Sequence, residues 1–293
     1  MPTHTILASP SDAELSAAVE ENLYDLFRAM AVNLPEGQLD ESEVLCRHFS
    51  APTNPMFKGV WGTRLNADQA DRAIDETIAW FKARNAPFFF WWTSSLTTPG
   101  DLGLRLTGRG LLSMEAQMEA LAPGIKSTSL GAPGMAADLR QMNEDALTQV
   151  PSGFVIEEVQ DETALYAFKK VFLESYEIPE WAGQAWVDAT LHIGIGRTPW
   201  RIFIGKLDGK PVASNILFNG AGVAAVYGVG TIAEARGKGI GGAITLKPLL
   251  EARAEGYRYG VLFASEMGIR TYQRIGFRLL EFRLNRFLWR NSP

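Results

Sequence analysis

The chain has 293 residues, 46% of them hydrophobic and 21% charged, with a net charge of -5, enough to bury a substantial core in one large or two modest domains, and two are expected. No segment offers the roughly 18 consecutive apolar residues of a membrane span, and Met1-Pro2-Thr3-His4 lacks the basic stretch and apolar run of a signal peptide, so a soluble, cytoplasmic protein without a membrane partner is expected. The single Cys46 excludes an internal disulfide, and three scattered histidines, His4, His48 and His192, argue against a zinc site, so no metal is expected.

Charge is uneven along the chain. Residues 1–150 carry 11 Lys and Arg against 19 Asp and Glu, and residues 151–293 carry 17 against 14, so the halves stand at -8 and +3. A mildly basic second half suits a ligand bearing phosphates, although an ordinary solvated surface of mixed sign is the more common cause of such a balance. Nothing points to nucleic acid.

In chain order, Asp12 to Met30 and Asn66 to Arg84 space apolar residues at three and four, which predicts two amphipathic helices, the second with Asn66 and Asp68 placed to cap it. Phe88 to Thr93 reads as a buried strand. The segment Ala122 to Gly134 gathers Pro, Gly and Ser and interrupts every periodic pattern, so it reads as an exposed connection. This divides the chain into domains at 1–121 and 153–293, with 122–152 connecting them. Beyond the connection, strands alternate with turns. Trp200–Leu207, Pro211–Phe218 and Val223–Ile232 are separated by Asp208-Gly209 and Asn219-Gly220, a pattern that predicts an antiparallel meander. A helix over Gly239–Ala254 follows, stopped by Gly256, then a strand over Tyr257–Ala264. A last helix, Met267–Ile275, ends at Gly276, and Phe277–Trp289 returns as a strand. This order predicts an α+β fold with a mixed, mainly antiparallel sheet.

Between the long strand and its helix lies Arg236-Gly237-Lys238-Gly239-Ile240-Gly241-Gly242-Ala243. Glycines let backbone N–H groups approach a ligand, and a helix N-terminus adds positive dipole, so the loop reads as an anion cradle. A ligand-free turn is a poor alternative, because glycine costs a helix interior about 1 kcal/mol against alanine. Gly237-x-Gly239-x-x-Gly242 also spells the dinucleotide fingerprint, with Glu266 as a ribose-binding acid. That fingerprint follows its strand directly within a parallel βαβ unit, whereas here Ala233 to Arg236 intervene and a meander precedes. The phosphate loop of NTPases fails, since Gly239 stands where Ser or Thr must bind magnesium and Ile232 replaces the first glycine.

The loop resembles the acetyl-CoA signature of the GNAT N-acetyltransferase superfamily, Arg/Gln-x-x-Gly-x-Gly/Ala after a strand, which Arg236, Gly239 and Gly241 fill. Ser265 to Phe277 is similar to a second element of that family, a helix that carries a tyrosine and ends at Gly-Phe. The resemblance covers about residues 154–293 and implies a GNAT fold, acetyl-CoA as cosubstrate, and transfer of acetyl to a primary amine by direct attack. It implies that residues 236–242, that is Arg236, Gly237, Lys238, Gly239, Ile240, Gly241 and Gly242, hold the pyrophosphate. Backbone groups of Val229 and Thr231 would meet pantetheine, one N–H there polarising the thioester carbonyl, and Tyr272 would lie near the thiol as the acid. Asparagine often opens the second motif in relatives, and Ser265 stands here as a pantetheine partner. Proline is usual where Ala233 stands. Pro87 to Thr93 followed by Pro99 to Leu111 echoes the closing part of the same fold without a glycine-rich cradle, which implies a degenerate, non-catalytic GNAT-like first half, with an unrelated α/β cap as the alternative.

Glu177 is the candidate base, because it follows the first helix of the second domain, where relatives build the acceptor pocket. Tyr176, Trp181 and Trp186 are candidates for an apolar acceptor slot, although such aromatics are more often core. His192 reads as structural. The acceptor is a small-molecule or peptide amine of open identity, and monomer and homodimer are both open. The alternative function is a non-catalytic acetyl-CoA-binding or regulatory protein.

Overall fold

The computed structural model describes residues 5–51, 57–114 and 131–291. His4 and the first part of the expected connection, residues 122–130, lie outside the described residues. No helix among the described residues is long and apolar enough to cross a membrane. The chain forms two compact units, one of residues 27–133 with 281–293, the other of residues 1–26 with 134–280. The boundary passes through helix α1 (Asp12–Asn33).

The first unit begins with strands β1 (Gln38–Glu41), β2 (Cys46–Phe49) and β3 (Lys58–Trp61), paired antiparallel in that order. Helix α2 (Ala67–Lys82) leads to β4 (Phe88–Ser94), which runs parallel to β3 through Gly59↔Phe90 and Val60↔Trp91. Helix α3 (Leu102–Gly108) and the short β5 (Leu112–Ser113) complete the local run. Helix α2 forms because Ala70, Ile74, Thr77 and Phe81 recur at three and four and all are buried. Phe81 stacks on Phe89 of β4 at 4.0 Å between ring centroids, and Leu106, Trp91 and Trp289 share the same core. The expected cap of α2 differs in detail: Asn66 occupies the N-cap in an extended conformation, but its side chain makes no capping hydrogen bond.

The second unit carries β6 (Ala132–Asp138), β7 (Phe154–Glu158), α4 (Glu162–Tyr176) and α5 (Glu180–Ile193). The meander follows, β8 (Trp200–Leu207), β9 (Lys210–Gly220) and β10 (Val223–Thr231), then α6 (Ile240–Ala254), β11 (Tyr259–Phe263) and α7 (Glu266–Arg274). Strands β7 to β10 pair antiparallel, β11 runs parallel to β10, and β6 runs antiparallel to β11. Helix α6 buries Ile244, Leu246 and Leu249 in the core that also holds Leu217, Val226 and Leu262 of the sheet.

Three features correct the sequence reading. Residues 132–138, assigned to a connection, form strand β6, whose Met135, Ala136 and Ala137 are buried, and two short 3-10 turns at Leu139–Gln141 and Glu144–Leu147 follow it. The last strand, β12 (Arg278–Arg290), leaves the second unit after Leu280, and its Leu284–Arg290 pair antiparallel with Phe88–Ser94. The end of the chain therefore belongs with the first unit, while residues 1–26 belong with the second. The third concerns a turn. Asp208-Gly209 makes its hairpin with φ of 49° and 79°, as two-residue hairpins of this kind require, but the next turn is Ala221-Gly222, φ 48° and 73°, not Asn219-Gly220. The Asp25 carboxylate accepts from the Ala221 N–H at 2.9 Å and holds this unfavourable residue in place.

Asn22 of α1 is fully buried in the same corner, its amide donating to the carbonyls of Phe218, Gly220 and Val223 and its oxygen accepting from the Tyr227 hydroxyl. Its loss leaves buried carbonyls and a phenol without partners, so Asn22→Ala should lower unfolding stability by about 1–3 kcal/mol. Urea denaturation followed by circular dichroism measures this, and an unchanged midpoint would show that water replaces the amide without cost.

Candidate functional site

The site is built where β10 and β11 part company. Their parallel ladder covers only Ala224↔Gly260, Ala225↔Val261 and Val226↔Leu262, while β10 runs on to Thr231. On its other side β10 carries an extra residue, for Tyr227 pairs with Ile216 and Gly230 with Ser214, which is a β-bulge, a device that breaks pairing and bends the strand. Val229 and Thr231 therefore sit on a half-buried stretch without β11 as a partner.

From Thr231 the chain passes through a 3-10 turn, Ala233–Ala235, into the glycine loop and α6. Gly237 and Gly239 have φ of 74° and 79°, a region that side chains disfavour. Among the described residues no hydrogen bond is made by the N–H groups of Gly237, Lys238, Gly239, Ile240 and Gly241, whereas those of Gly242 and Ala243 turn back to the Gly239 carbonyl. Residues 236–239 are exposed. Five consecutive unpaired amides at the positive end of a 15-residue helix fit an anionic group such as a pyrophosphate.

The glycines do different things. A Cβ on Gly239 would collide with the Gln149 carbonyl oxygen, so this residue is needed for packing as well as for its φ. A Cβ on Gly241 would make only ordinary contacts, 3.7 Å to Thr231 and 3.8 Å to Thr271, and one on Gly237 would meet nothing within 4 Å. A Cβ on Gly242 comes 3.3 Å from Ile275. The Arg236 guanidinium turns back to the protein and donates to the carbonyls of Thr231 at 3.0 Å and Ser175 at 3.1 Å, bracing the loop against β10 and the end of α4.

Helix α7 begins at Ser265, whose hydroxyl accepts from the Gly268 N–H at 3.2 Å as its N-cap. The cap sets the helix so that Tyr272 lies against Gly268 and faces Phe277 edge-on at 6.1 Å. Tyr272 is 8% exposed, and burial pushes its phenol up to about 12. Nothing among the described residues hydrogen-bonds its hydroxyl.

Of the acceptor-side candidates, the structure brings Tyr176 close to Tyr272. The Tyr176 hydroxyl donates to the Val229 carbonyl at 2.9 Å. Burial of that end, and then the neighbouring Tyr272 phenol, raise its pKa, although 45% of the residue is exposed. Phe168, Phe172 and Tyr176 form a ladder of rings along α4, at 5.6 and 5.1 Å between centroids. Glu177 is the left-handed C-cap of α4, φ 53°, with its N–H on the Leu173 carbonyl. Its exposed carboxylate makes no hydrogen bond or ion pair among the described residues. Trp186 is core rather than pocket, 2% exposed and edge-on to Trp200. Trp181 is 43% exposed, and His192 is exposed in the last turn of α5. A cavity of about 360 Å³ between Glu158, Thr190, Thr198 and Arg201 lies towards the other end of β8 and holds no motif residue.

No family model matches the chain. No curated protein matches it in sequence. Solved structures do match it. A GCN5-related N-acetyltransferase from Kribbella flavida superposes with a TM-score of 0.68 at 15% identity, over 98% of both chains. A GCN5-related N-acetyltransferase from Sphaerobacter thermophilus gives 0.60 at 17% identity, over 100% of this chain and 98% of that one. A tandem GNAT protein from the clavulanic acid biosynthesis pathway gives 0.57 at 15%, over 99% and 91%. The chain has the GNAT fold, α+β with a mixed, mainly antiparallel sheet, and the likeness extends over both halves of the sequence.

The contrast between two glycines gives a test. Gly239→Ala should destabilise the protein by about 1–3 kcal/mol, through positive φ and collision with backbone. Gly241→Ala, in the first turn of α6, should leave stability within about 1 kcal/mol. Thermal denaturation of both variants checks this, and equal midpoints would mean that the loop is not held as described.

Proposed function

We propose that the second half of the chain is an acyl-CoA-dependent N-acyltransferase that takes acetyl from acetyl-CoA to a primary amine. The observation that carries this reading is the row of five unpaired amides at the start of α6, beside a strand that has lost its neighbour. Bound there, acetyl-CoA supplies an acetyl thioester open to attack by a neutral amine.

The loop amides of residues 237–241 bind the pyrophosphate, and the helix dipole adds to their attraction. Backbone groups of Val229 and Thr231 orient the pantetheine arm. The Thr231 carbonyl already accepts from Arg236, and the Val229 carbonyl from Tyr176, which leaves the N–H groups of this stretch to polarise the thioester carbonyl, a role we assign to Val229. Tyr272 holds the proton for the departing sulfur. Its raised pKa keeps the phenol protonated at neutral pH, the state an acid must be in before it acts. Tyr176 forms the aromatic wall on the acceptor side, and Glu177, exposed at the helix end, takes the proton of an arriving ammonium only through solvent.

Acetyl-CoA turnover with free-thiol detection against a panel of amines tests the activity, with calorimetry for binding. Binding without turnover on any amine would favour a regulatory acetyl-CoA-binding protein instead. Gly241→Asp should abolish acetyl-CoA binding, because it puts a carboxylate beside the unpaired amides in a protein that still folds. Tyr272→Phe should keep binding and lower kcat by roughly 10² to 10⁴ with little change in KM for acetyl-CoA, as loss of an acid requires. Since burial pushes the phenol up to about 12, the kcat profile of the parent should show no descending limb from this group until pH approaches that value. A limb near the ordinary tyrosine pKa that disappears in Tyr272→Phe would contradict the burial described.

A further inference from the structure

The bulge in β10 leaves Gly228 and Val229 out of register with β9, after β11 has ceased to pair at Val226. Both carbonyls of this stretch nevertheless have side-chain donors. Ser214 of β9, with 0% exposure, donates through its hydroxyl to the Gly228 carbonyl at 3.0 Å. Tyr176 donates to the Val229 carbonyl at 2.9 Å. Two consecutive peptide planes are thus pinned from two different elements. Gly230, next along, is close-packed, since a Cβ there would lie 2.7 Å from Ser175 and 3.0 Å from the Ser214 hydroxyl.

The peptide between Gly228 and Val229 is trans. In a planar trans peptide the N–H points opposite to the C=O, so the bond that draws the Gly228 carbonyl to the Ser214 hydroxyl turns the Val229 N–H away from that hydroxyl. Strand β10 has β9 on one side and β11 on the other, and beyond Val226 its β11 side no longer pairs, which leaves that side open to a ligand. A donor on the carbonyl also polarises its peptide and strengthens the N–H of the same unit. The φ of 56° at Gly228 lets the chain enter this plane.

We propose that Ser214 is a positioning residue which, by holding the Gly228–Val229 peptide, aims the Val229 N–H at the acetyl carbonyl oxygen, while Tyr176 fixes the peptide that follows. The inference rests on the acetyl-CoA reading above. It differs from simple satisfaction of a buried carbonyl, which would affect stability and leave catalysis alone. A donor fixed before the reaction costs no reorganisation as negative charge builds on that oxygen, and a whole donor of this kind is worth about 10² to 10³ in kcat. A misaimed one loses part of that.

The test uses the full chain and three readouts: kcat, acetyl-CoA affinity by calorimetry, and the Val229 amide resonance in the ligand-free protein. Ser214→Ala should lower kcat by about 10-fold or more with acetyl-CoA affinity held within about threefold, and should move the Val229 amide proton upfield. Ser214→Thr, which keeps the hydroxyl, should recover most of kcat. Should its extra methyl prevent folding, Ser214→Cys, a weak donor of similar size, should fall between parent and Ser214→Ala. Unchanged kcat in Ser214→Ala, or a fall in kcat together with acetyl-CoA affinity and an unmoved Val229 resonance, would overturn the inference alone. A parent that neither binds nor turns over acetyl-CoA would overturn the acetyl-transfer reading and this inference together. The amide resonance, read without ligand, tells the two failures apart.

Discussion

A β-strand that loses its neighbours has to find other partners for its backbone, and β10 does so over Tyr227–Thr231. Its first residues are held on both sides, by β9 and by β11. Beyond Val226 one neighbour is gone and the other is out of register. Buried carbonyls left unpaired would cost about 1–3 kcal/mol each, so side chains take over: Ser214 for Gly228, Tyr176 for Val229 and Arg236 for Thr231. The three donors come from a strand, a helix end and the glycine loop. Each of these elements is thereby fixed relative to the opening, and the loop cannot move from β10 without losing the Arg236 bonds.

The parts of this arrangement that were legible in the sequence are those with a local cause. The loop 236–242 announces itself because only glycine tolerates φ near 74° and 79° next to a helix start, and α2 announces itself through its 3-4 spacing. The parts that were not legible depend on partners distant in sequence. Gly134–Asp138 of β6 contain small residues and follow a turn-rich stretch, so nothing local marks them as a buried strand. Their strand character comes from pairing with Tyr259–Phe263. The same holds for the hairpin turn at Ala221-Gly222, which displaces the better-looking Asn219-Gly220 because Asp25, 196 residues away, holds the Ala221 N–H. Trp186 had the composition of a pocket residue and became core because Trp200 stands beside it. Ser214 carried no signal at all, a lone serine in an apolar run.

The first half of the chain repeats the order of the second on a smaller scale. Three antiparallel strands, a helix, a strand parallel to the third, a second helix and a closing strand occur as β1 to β3, α2, β4, α3 and β5, and again as β8 to β10, α6, β11, α7 and β12. The differences fall where the ligand chemistry would be. Between β3 and α2 stand Gly62, Thr63, Arg64, Leu65 and Asn66, a connection with one glycine and with its two central amides committed: Arg64 donates to Val44 and Leu65 to Thr98. The pattern of elements survives there without glycines in series, and the bonds of Arg64 and Leu65 interrupt any row of five free amides, so the GNAT order of strands and helices does not by itself create an anion site.

The two tyrosines at the opening show how the same side chain is given different work by its surroundings. Tyr176 and Tyr272 both have their pKa raised by burial, so both phenols stay protonated near neutrality. Tyr176 has its proton engaged in the bond to Val229, and moving it would release the carbonyl that this bond holds. Tyr272 lies against Gly268 and Phe277 with its ring fixed by packing and its hydroxyl without a partner among the described residues. A hydroxyl so placed has a proton it can give without breaking an existing bond, whereas Tyr176 would have to surrender part of the architecture. Under the proposed chemistry the acid is therefore Tyr272, and Tyr176 acts through the backbone it holds. The distinction rests on hydrogen-bond commitment, since burial alone treats the two alike.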